Sequence, residues 1–358
     1  MPNETFAPGP LVEKLAAWFA RNKRPMPWRN TRDPYRIWLS EIMLQQTQVA
    51  TVIPYYEKFV ARFPTVNELA AAPLDDVLKL WAGLGYYSRA RNLHRGAQAI
   101  AGRFGGTMPN TPEMIREIPG IGPYTAGAVL SIAYSRPVAL VDGNVARVLS
   151  RLRMLSGDWR QNPAKDALWS LAAELVGHCG KAVDPGDLNQ ALMELGATVC
   201  TPRGPECSRC PAAAHCLAFK NNKQAAFPEI AKKAASPVWK LRAWIVRDKR
   251  GHMLFAQRES EGLFGGLWEV PTELQSPKSA GGKLLGRVKH VLSHRELRIA
   301  VCEGKPAAAL NDVAKFPCWS GAYTAFRWVK AEAALAGSEI ALSSVQKKVL
   351  QIALKNSI

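Results

Sequence analysis

The chain has 358 residues, of which 47% are apolar, and its formal net charge is +18 because 47 Lys and Arg outnumber 29 Asp and Glu. This length predicts two domains, and the apolar content argues against overall disorder. A positive charge of this size favours a polyanionic partner, above all nucleic acid, over a merely basic soluble protein. The sequence shows neither a signal-peptide pattern over residues 1–10 nor an apolar run of membrane-spanning length, so we expect no export and no membrane insertion.

Helical periodicity runs through the first two hundred residues, without a convincing strand. Asp33-Pro34 begins a helix whose predicted buried stripe is Tyr35, Trp38 and Ile42, which leaves Glu41 off that stripe. The predicted helices cover residues 11–21, 34 to about 44, 48 to about 63 with Thr47 as its cap, 65–72, 74–82, 88–103, 144–155, 163–176 and 185–195.

From residue 238 onwards the pattern changes to strands. The predicted strands cover residues 241–247, 253–258, 284–292, 296–302 and 323–329, and a helix over residues 343–355 follows them. The sequence therefore predicts an all-α domain over residues 1–220, an interdomain linker over 221–237 and an α+β domain over 238–358.

A glycine hairpin, Pro119-Gly120-Ile121-Gly122, joins a helix that ends at Ile118 to a helix that begins at Pro123. Glycine permits positive φ and a close approach of another backbone. A hairpin that opens onto a helix N-terminus presents free N–H groups in one direction, which is typical of an anion site. In so basic a chain, we expect that anion to be a nucleic-acid phosphate.

Two carboxylates are candidates for chemistry, although each also has an ordinary structural interpretation. Asp142 follows an apolar run and is suited to cap the next helix, and Glu41 is suited to be a solvated carboxylate near a helix end. These residues alone leave both interpretations open.

Four of the seven cysteines lie between residues 200 and 216, which in a chain without a leader points to metal more than to disulfides. The spacing Cys200-x6-Cys207-x2-Cys210-x5-Cys216 contains one short Cys-x-x-Cys pair, where zinc sites usually have two. Four thiolates suit zinc and a [4Fe–4S] cluster equally, so the spacing leaves both open.

Several segments together resemble the helix-hairpin-helix DNA glycosylases that carry an iron–sulfur cluster, and within them the adenine DNA glycosylases. The resemblance covers nearly the whole helical part, and it rests on residues 38–49 (Trp-Leu-Ser-Glu-Ile-Met-Leu-Gln-Gln-Thr-Gln-Val), 83–89, the hairpin, 141–145, 188–196 and the four cysteines. It implies a base-excision-repair enzyme that removes adenine mispaired with 8-oxoguanine or guanine, and it favours a [4Fe–4S] cluster on Cys200, Cys207, Cys210 and Cys216.

The resemblance also implies the roles of the catalytic residues. Relatives that cut the DNA backbone carry a Lys directly before the Thr-Ala of the hairpin helix, as a Schiff-base nucleophile, whereas this chain has Tyr124. We therefore expect a monofunctional glycosylase that leaves an abasic site. Glu41 would be the general acid, Asp142 would stabilise the sugar cation, and Tyr124 and Asn144 would orient this pair.

Further residues are implied to bind the DNA. Those expected to line the adenine pocket, or to fill and close the vacated stack, are Trp28, Arg29, Leu44, Gln46, Tyr86 and Gln190. Those expected to contact the DNA backbone are Gly120, Gly122 and Thr125.

The C-terminal part resembles the Nudix-like recognition domain of the same family through Gly-Leu-Trp-Glu-Val-Pro (266–271). The glutamate run of the Nudix hydrolase box is missing from the sequence, so we expect no pyrophosphohydrolase activity. Ser293 and His294 match a family loop that reads 8-oxoguanine, while Leu292 replaces its usual aromatic residue.

Two alternatives stay open from the sequence. One is a bifunctional glycosylase and lyase for oxidised pyrimidines, and the other is a non-catalytic iron–sulfur DNA-binding protein. We expect the chain to be a monomer that binds mismatched double-stranded DNA, and to be a cytoplasmic, nucleoid-associated protein of bacterial type.

Overall fold

The computed structural model describes residues 7–231, 236–275, 282–304 and 318–356. Residue contacts divide the chain into two units, Met1–Asn67 with Gly96–Lys233 and Glu68–Arg95 with Ala234–Ile358. Helices make up the first unit, and two sheets with helices make up the second. The predicted fold class, an all-α domain followed by an α+β domain, is confirmed.

The helices of the first part lie close to their predicted positions. They are α1 (Pro8–Asn22), α2 (Pro34–Leu44), α3 (Val49–Arg62), α4 (Val66–Ala71), α5 (Leu74–Trp81), α6 (Ser88–Arg103), α7 (Pro112–Ile115), α8 (Pro123–Tyr134), α9 (Gly143–Arg153), α10 (Ala164–Gly177), α11 (Pro185–Thr198) and α12 (Leu217–Lys220). Short 3-10 turns cover Pro27–Asn30, Cys207–Arg209, Ala213–His215 and Gln224–Ala226.

Helix α11 packs against α1, α8 and α9, so it lies at the centre of the helical core. Two glycines allow this close packing. A Cβ atom on Gly186 would lie 2.7 Å from the Ser131 carbonyl oxygen, and one on Gly196 would lie 2.6 Å from Asn144 Cβ. Both distances are too short for a side chain, so glycine sets the approach of α11 to α8 and α9.

Two details of the helix predictions are wrong. Thr47 does not cap α3, because that helix begins at Val49 after Gln48, and the Thr47 N–H bonds to the Leu44 carbonyl in the preceding turn. Glu41 is not off the buried stripe of α2, because it is only 5% exposed. The prediction failed because α2 is buried on most of its circumference, which a one-sided periodicity cannot show.

Residues 68–95, which the sequence places in the helical domain, pack with the second unit instead. The Arg91 guanidinium donates to the Gly265 carbonyl over 2.7 Å, and the Gln257 side-chain amide donates to Asp75 over 3.2 Å. Each unit is therefore built from two separate segments of the chain.

Part of the predicted linker is packed against the first unit. The Arg151 side chain donates to the carbonyls of Gln224 and Phe227 over 2.9 and 3.0 Å, and Glu229 forms a β-bridge with Asp158. Residues 232–235 of that linker lie outside the described residues.

The second unit contains two sheets of four and three strands. The strands are β1 (Val238–Ile245), β2 (Met253–Arg258), β3 (Trp268–Glu269), β4 (Thr272–Leu274), β5 (Lys283–Leu292), β6 (Arg295–Glu303) and β7 (Tyr323–Val329), followed by α13 (Ala331–Ala336) and α14 (Ser344–Lys355). The order of the strands is β4-β1-β6-β5 in one sheet and β3-β2-β7 in the other, with β1 and β6 parallel and the other pairs antiparallel. The short strands β3 and β4 were not predicted, because they lie in and just after a glycine-aromatic segment that is typical of a loop.

None of the helices in the described part of the chain is both long and apolar enough to cross a membrane.

Candidate active site

A cavity of about 560 Å³ in the helical unit brings together most of the residues that the sequence predicted for chemistry. It is lined by parts of α2, α8, α9 and α11 and by the loops around residues 24–29 and 45–48. Nine predicted site residues line it, namely Trp28, Arg29, Glu41, Leu44, Gln46, Tyr124, Asp142, Asn144 and Gln190.

Glu41 is a buried carboxyl group in the last turn of α2, the helix that Asp33 begins by accepting from the Tyr35 and Arg36 N–H groups. The Tyr124 hydroxyl donates to Glu41 Oε2 over 2.6 Å. Burial raises the pKa of Glu41 to about 7 and outweighs the opposing effects of Tyr124 and Arg29. The carboxyl group can therefore hold a proton near neutral pH.

Tyr124 is the second residue of α8, directly after the hairpin proline Pro123. Burial raises the pKa of Tyr124 well above its ordinary value, so the phenol stays protonated and acts as a donor. Its oxygen also lies 3.4 Å from Met193 Sδ on α11. The hairpin thus fixes the backbone of the tyrosine, and contacts with α2 and α11 fix its hydroxyl group.

Asp142 is the N-cap of α9 and a wall of the same cavity, so the two interpretations of this residue are compatible. One carboxylate oxygen accepts from the Val145 N–H over 2.7 Å, and the other accepts from the Asn144 side-chain amide over 3.0 Å. Burial raises the pKa of Asp142, while both hydrogen bonds act to lower it. These bonds hold the side chain in a single orientation.

Arg147 links Asn144 to the cysteine loop. Its guanidinium donates to Asn144 Oδ1 over 2.8 Å, to the Gly196 carbonyl over 2.7 Å and to the Cys200 carbonyl over 2.7 Å. Arg147 was not singled out from the sequence, although its position one turn after Asn144 on a helix was a usable signal.

The four clustered cysteines line one small cavity of about 20 Å³. Burial raises the pKa of Cys210 to about 12, and the other three cysteines raise it further. Within the described ranges, no three His, Cys, Asp or Glu side chains converge on a single metal-ion position. Four thiols around one small cavity are the donor set of a thiolate-bound metal centre, zinc or iron–sulfur.

Arg151 is a buried cation at the edge of this cysteine cavity, 3% exposed. It donates to Cys200 Sγ over 3.3 Å and to the Thr201 carbonyl over 2.7 Å. All seven cysteines are free of disulfide bonds. The thiols are therefore available as ligands, and the buried guanidinium of Arg151 contacts one of them.

Glu194 positions the arginine in the wall of the larger cavity, and sequence reasoning missed it. It is only 1% exposed and accepts from Arg29 over 2.8 Å and from Arg24 over 2.6 Å. It lies within the 188–196 segment that carried the resemblance, one turn after Gln190. Trp28 is held separately, edge to face with Tyr56 at 5.3 Å.

The hairpin adopts the predicted geometry in part. Gly120 has a φ of 82°, a conformation that favours glycine, whereas Gly122 caps α8 with a φ of −89°, and a Cβ atom there would contact nothing within 4 Å. Thr125 as a whole is only 2% exposed, so it offers little surface to a phosphate.

The predicted residues Tyr86, Leu292, Ser293 and His294 belong to the second unit. Ser293 and His294 form the exposed two-residue turn between β5 and β6, and the Ser293 hydroxyl lies 2.5 Å from the Tyr86 hydroxyl. Leu292 is partly buried and packs against the core of this unit.

Gln46 and Tyr86 share an unusual backbone conformation, with φ values of 58° and 48°. Such conformations cost residues other than glycine roughly 1 kcal/mol and are common at functional sites. Both residues were predicted to act where the base leaves the stack.

Family models match both parts of the chain. Residues 39–174 match the HhH-GPD superfamily of base excision DNA repair proteins, and residues 242–351 match the NUDIX domain. These matches agree with the division into a helical and an α+β part.

Curated relatives cover most of the chain. The adenine DNA glycosylase of Mus musculus is 36% identical, and the match covers 85% of this chain and 73% of the relative. The adenine DNA glycosylase of Homo sapiens is 37% identical, and the match covers 80% of this chain and 65% of the relative. A solved thermostable thymine-DNA glycosylase matches with a TM-score of 0.53 and 32% identity, over 59% of this chain and 95% of that one. The resemblance inferred from the sequence motifs is confirmed.

The burial of Glu41 predicts a pH-dependent cost in stability. Below its ordinary pKa of 4.5 the carboxyl group is protonated in both folded and unfolded chains, and above about 7 the folded protein carries a buried charge. Glu41→Gln keeps an acceptor for Tyr124 without that charge. We expect the variant to gain on the order of 3 kcal/mol in unfolding free energy at about pH 8 and nothing at about pH 4.

Chemical denaturation at both pH values measures this difference. The exposed Glu57→Gln is the matched control and should show no difference between the two pH values. A Glu41→Gln variant that is equally or less stable than the wild type at pH 8 would contradict the assignment of a raised pKa.

Proposed function

This chain belongs to the adenine DNA glycosylase family, and we propose that it hydrolyses the N-glycosidic bond of adenine mispaired with 8-oxoguanine or guanine. The observation that carries the proposal is the pairing of a protonatable Glu41 with a hydrogen-bonded Asp142 in one cavity. Two carboxyl groups in different states are the arrangement by which glycosidases split glycosidic bonds.

Glu41 acts as the general acid. Adenine is a poor leaving group as an anion, so we propose that the Glu41 carboxyl group donates its proton to adenine N7 as the bond to C1′ breaks. The bonding electron pair leaves with the neutral base. The Tyr124 hydroxyl, which donates to Glu41 Oε2, holds the carboxyl group in place.

Asp142 acts on the sugar. The oxocarbenium-like sugar carries a positive charge, which the Asp142 carboxylate stabilises after the base has left. A water then adds to C1′ and gives one proton to the Glu41 carboxylate, which leaves an abasic site and restores the acid. The Asn144 amide and the Val145 N–H keep the carboxylate oriented.

Strand cleavage is not part of the proposal. A lyase needs an amine that attacks C1′, and in this chain Tyr124 stands where the lyase relatives carry lysine. No lysine is found among the described residues that line the cavity. The bifunctional alternative therefore has no nucleophile at the site.

Adenine inside a duplex cannot reach this cavity, so the nucleotide must be extruded from the stack. We propose that Gln46 and Tyr86, with their positive φ values, act where the base has left. The N–H groups at the start of α8 and the hairpin glycines hold the strand by its phosphates.

We propose that Cys200, Cys207, Cys210 and Cys216 hold a [4Fe–4S] cluster, which when bound supplies a rigid four-thiolate crosslink. The shared sulfur-lined space and the Arg151 contacts support this assignment. Arg147 hydrogen-bonds to both the cysteine loop and Asn144. An ordered loop therefore helps to hold Asn144, and through it the catalytic aspartate, in place.

The reading of 8-oxoguanine is proposed for Ser293 and His294. Both side chains are exposed at a two-residue hairpin turn, a position that allows polar contacts with a base edge. Glu269, which lies in the Nudix-like segment, accepts from Arg258, Trp319 and Tyr323 instead of standing ready for a metal. The second unit is thus proposed to recognise DNA without hydrolysis, in a protein that acts in the cytoplasm.

Glu41→Gln and Asp142→Asn should each lower the rate of adenine release by at least about a hundredfold. The first removes the general acid, and the second removes the negative charge that stabilises the sugar cation. Duplex binding should stay within a few fold of the wild type. Single-turnover kinetics on duplexes with 8-oxoguanine:A measure the first effect, and a binding titration on the same duplex measures the second. Near-normal rates in both variants would refute the site assignment.

The double variant Ser293→Ala with His294→Ala should narrow the preference for 8-oxoguanine:A over G:A. The preference is measured as the ratio of the excision rates on the two mismatches at limiting enzyme. The double variant Lys330→Gln with Lys355→Gln, which changes exposed residues of the same unit, serves as the control. An unchanged ratio in the Ser293 and His294 variant would overturn the proposed role of the turn.

A further inference from the structure

A buried carboxylate on α11 binds two arginines in the wall of the cavity that holds Glu41. Glu194 Oε1 accepts from Arg24 Nε over 2.6 Å, and Glu194 Oε2 accepts from Arg24 Nη2 over 3.0 Å and from Arg29 Nη2 over 2.8 Å. The side chain of Glu194 is 1% exposed and that of Arg29 is 11% exposed. Charges act on each other more strongly here than in water, because little water lies between them.

The local structure fixes these charges in the cavity wall. Four residues at helical spacing on α11 line the cavity, namely Gln190, Met193, Glu194 and Ala197. On the opposite side, Arg29 belongs to the 3-10 turn after Arg24 and donates to the Arg24 carbonyl over 2.9 Å. Its guanidinium also lies 5.1 Å from the centre of the Phe19 ring. Arg29 therefore presents its charge to the cavity from a held position.

Glu194 is an anion at neutral pH. Burial acts to raise the pKa of Glu194, but the hydrogen bonds and charges of Arg24 and Arg29 outweigh burial and lower that pKa. A full negative charge therefore stands against Arg29 throughout the pH range in which Glu41 titrates.

The charges around the cavity balance only when Glu41 holds a proton. Apart from the Tyr124 phenol, the ionisable side chains among the described residues that line it are Arg24, Arg29, Glu41, Asp142 and Glu194. The two arginines balance the two other carboxylates, so the site is neutral overall while Glu41 is neutral. Without the charge of Glu194 the site is positive, which favours ionisation of Glu41.

Arg29 is the cation of this set that acts on Glu41. Burial, the largest influence, raises the pKa of Glu41, and the Tyr124 hydrogen bond lowers it. The Asp142 charge raises that pKa, and the Arg29 charge lowers it. Arg147, which lines the neighbouring cavity, acts on Asp142. A carboxylate bound to Arg29 reduces the field of this cation at Glu41.

We propose that Glu194 is a positioning residue that neutralises Arg29 and so keeps Glu41 in the protonated form that the reaction uses. Arg29 can then line the base pocket as a hydrogen-bond donor without drawing the proton from the acid. The inference rests on the proposed function, because it concerns the proton that Glu41 gives to adenine. The competing interpretation is a purely structural salt bridge that fastens residues 24–29 to α11.

The test compares the full-length wild type with Glu194→Gln, Arg29→Gln and the double variant. Glutamine at position 194 keeps an oxygen that accepts from both arginines and removes only the charge. Single-turnover adenine release from an 8-oxoguanine:A duplex is measured between about pH 5 and 9, and the readout is the midpoint of the fall in rate. The exposed Glu57→Gln removes one negative charge from the same unit and is the control.

We expect Glu194→Gln to lower the midpoint by about one pH unit, because an unbalanced cation favours the ionised form of Glu41. At about pH 8 this shift lowers the rate about tenfold, beyond any change in the maximal rate. Arg29→Gln should raise the midpoint, and the double variant should return it close to the wild-type value. Glu194→Asp, which keeps the charge, and Glu57→Gln should both keep the wild-type midpoint.

A purely structural salt bridge gives a different pattern. Its loss lowers the rate by the same factor at every pH and leaves the midpoint in place, which overturns the inference. If Glu194→Gln does not fold, the comparison of Arg29→Gln with the double variant decides. Equal midpoints in those two variants show that the charge of Glu194 has no effect on Glu41, and they overturn the inference as well.

A second measurement does not depend on catalysis. Glu41→Gln is combined with Glu194→Gln, and chemical denaturation at about pH 8 measures the stabilisation that Glu41→Gln gives with and without Glu194. A pKa of Glu41 that is lower by one unit makes this stabilisation about tenfold smaller in the unfolding equilibrium constant. An unchanged stabilisation overturns the inference. If the wild type releases no adenine, the proposed function falls, and this measurement alone decides whether Glu194 controls the proton on Glu41.

Discussion

The burial of Glu41 is the constraint on which the rest of the helical unit depends. An ionised carboxylate in this position has a high free energy, so the structure holds a proton there up to a pH near 7. The Tyr124 hydroxyl is compatible with this protonated state, because it donates a hydrogen bond to the carboxyl group whether or not that group is ionised. Placing a tyrosine at the start of α8 requires the hairpin, and closing the cavity around it requires α11.

The same unit holds its second carboxylate by a chain of hydrogen bonds rather than by burial alone. Asp142 is bound by Asn144, Asn144 by Arg147, and Arg147 by the carbonyls of Gly196 and Cys200. Disorder in the cysteine loop would therefore loosen the aspartate. A cluster on the four thiols would accordingly act on catalysis through positioning, without any part in the proton transfer.

Sequence patterns predicted the helices, the strands and the family, because periodicity, caps and glycine turns are local signals. They failed where the deciding contact joins distant residues. Glu41 was placed off the buried stripe, since its burial depends on distant elements such as α8, and the contacts of Arg91 and Asp75 with residues beyond 250 have no local signal. Glu194 was missed for the same reason, because its partners Arg24 and Arg29 lie 170 and 165 residues away in sequence.

The pH dependence of single-turnover adenine release tests the central claim most directly. If Glu41 must be protonated, the rate should fall tenfold for each pH unit above about 7. In Tyr124→Phe the midpoint should move upwards, because the lost hydrogen bond lowers the pKa of Glu41 in the wild type. A wild-type rate that stays constant between about pH 6 and 9, at saturating enzyme and with intact duplex, would contradict the role of Glu41 as the acid.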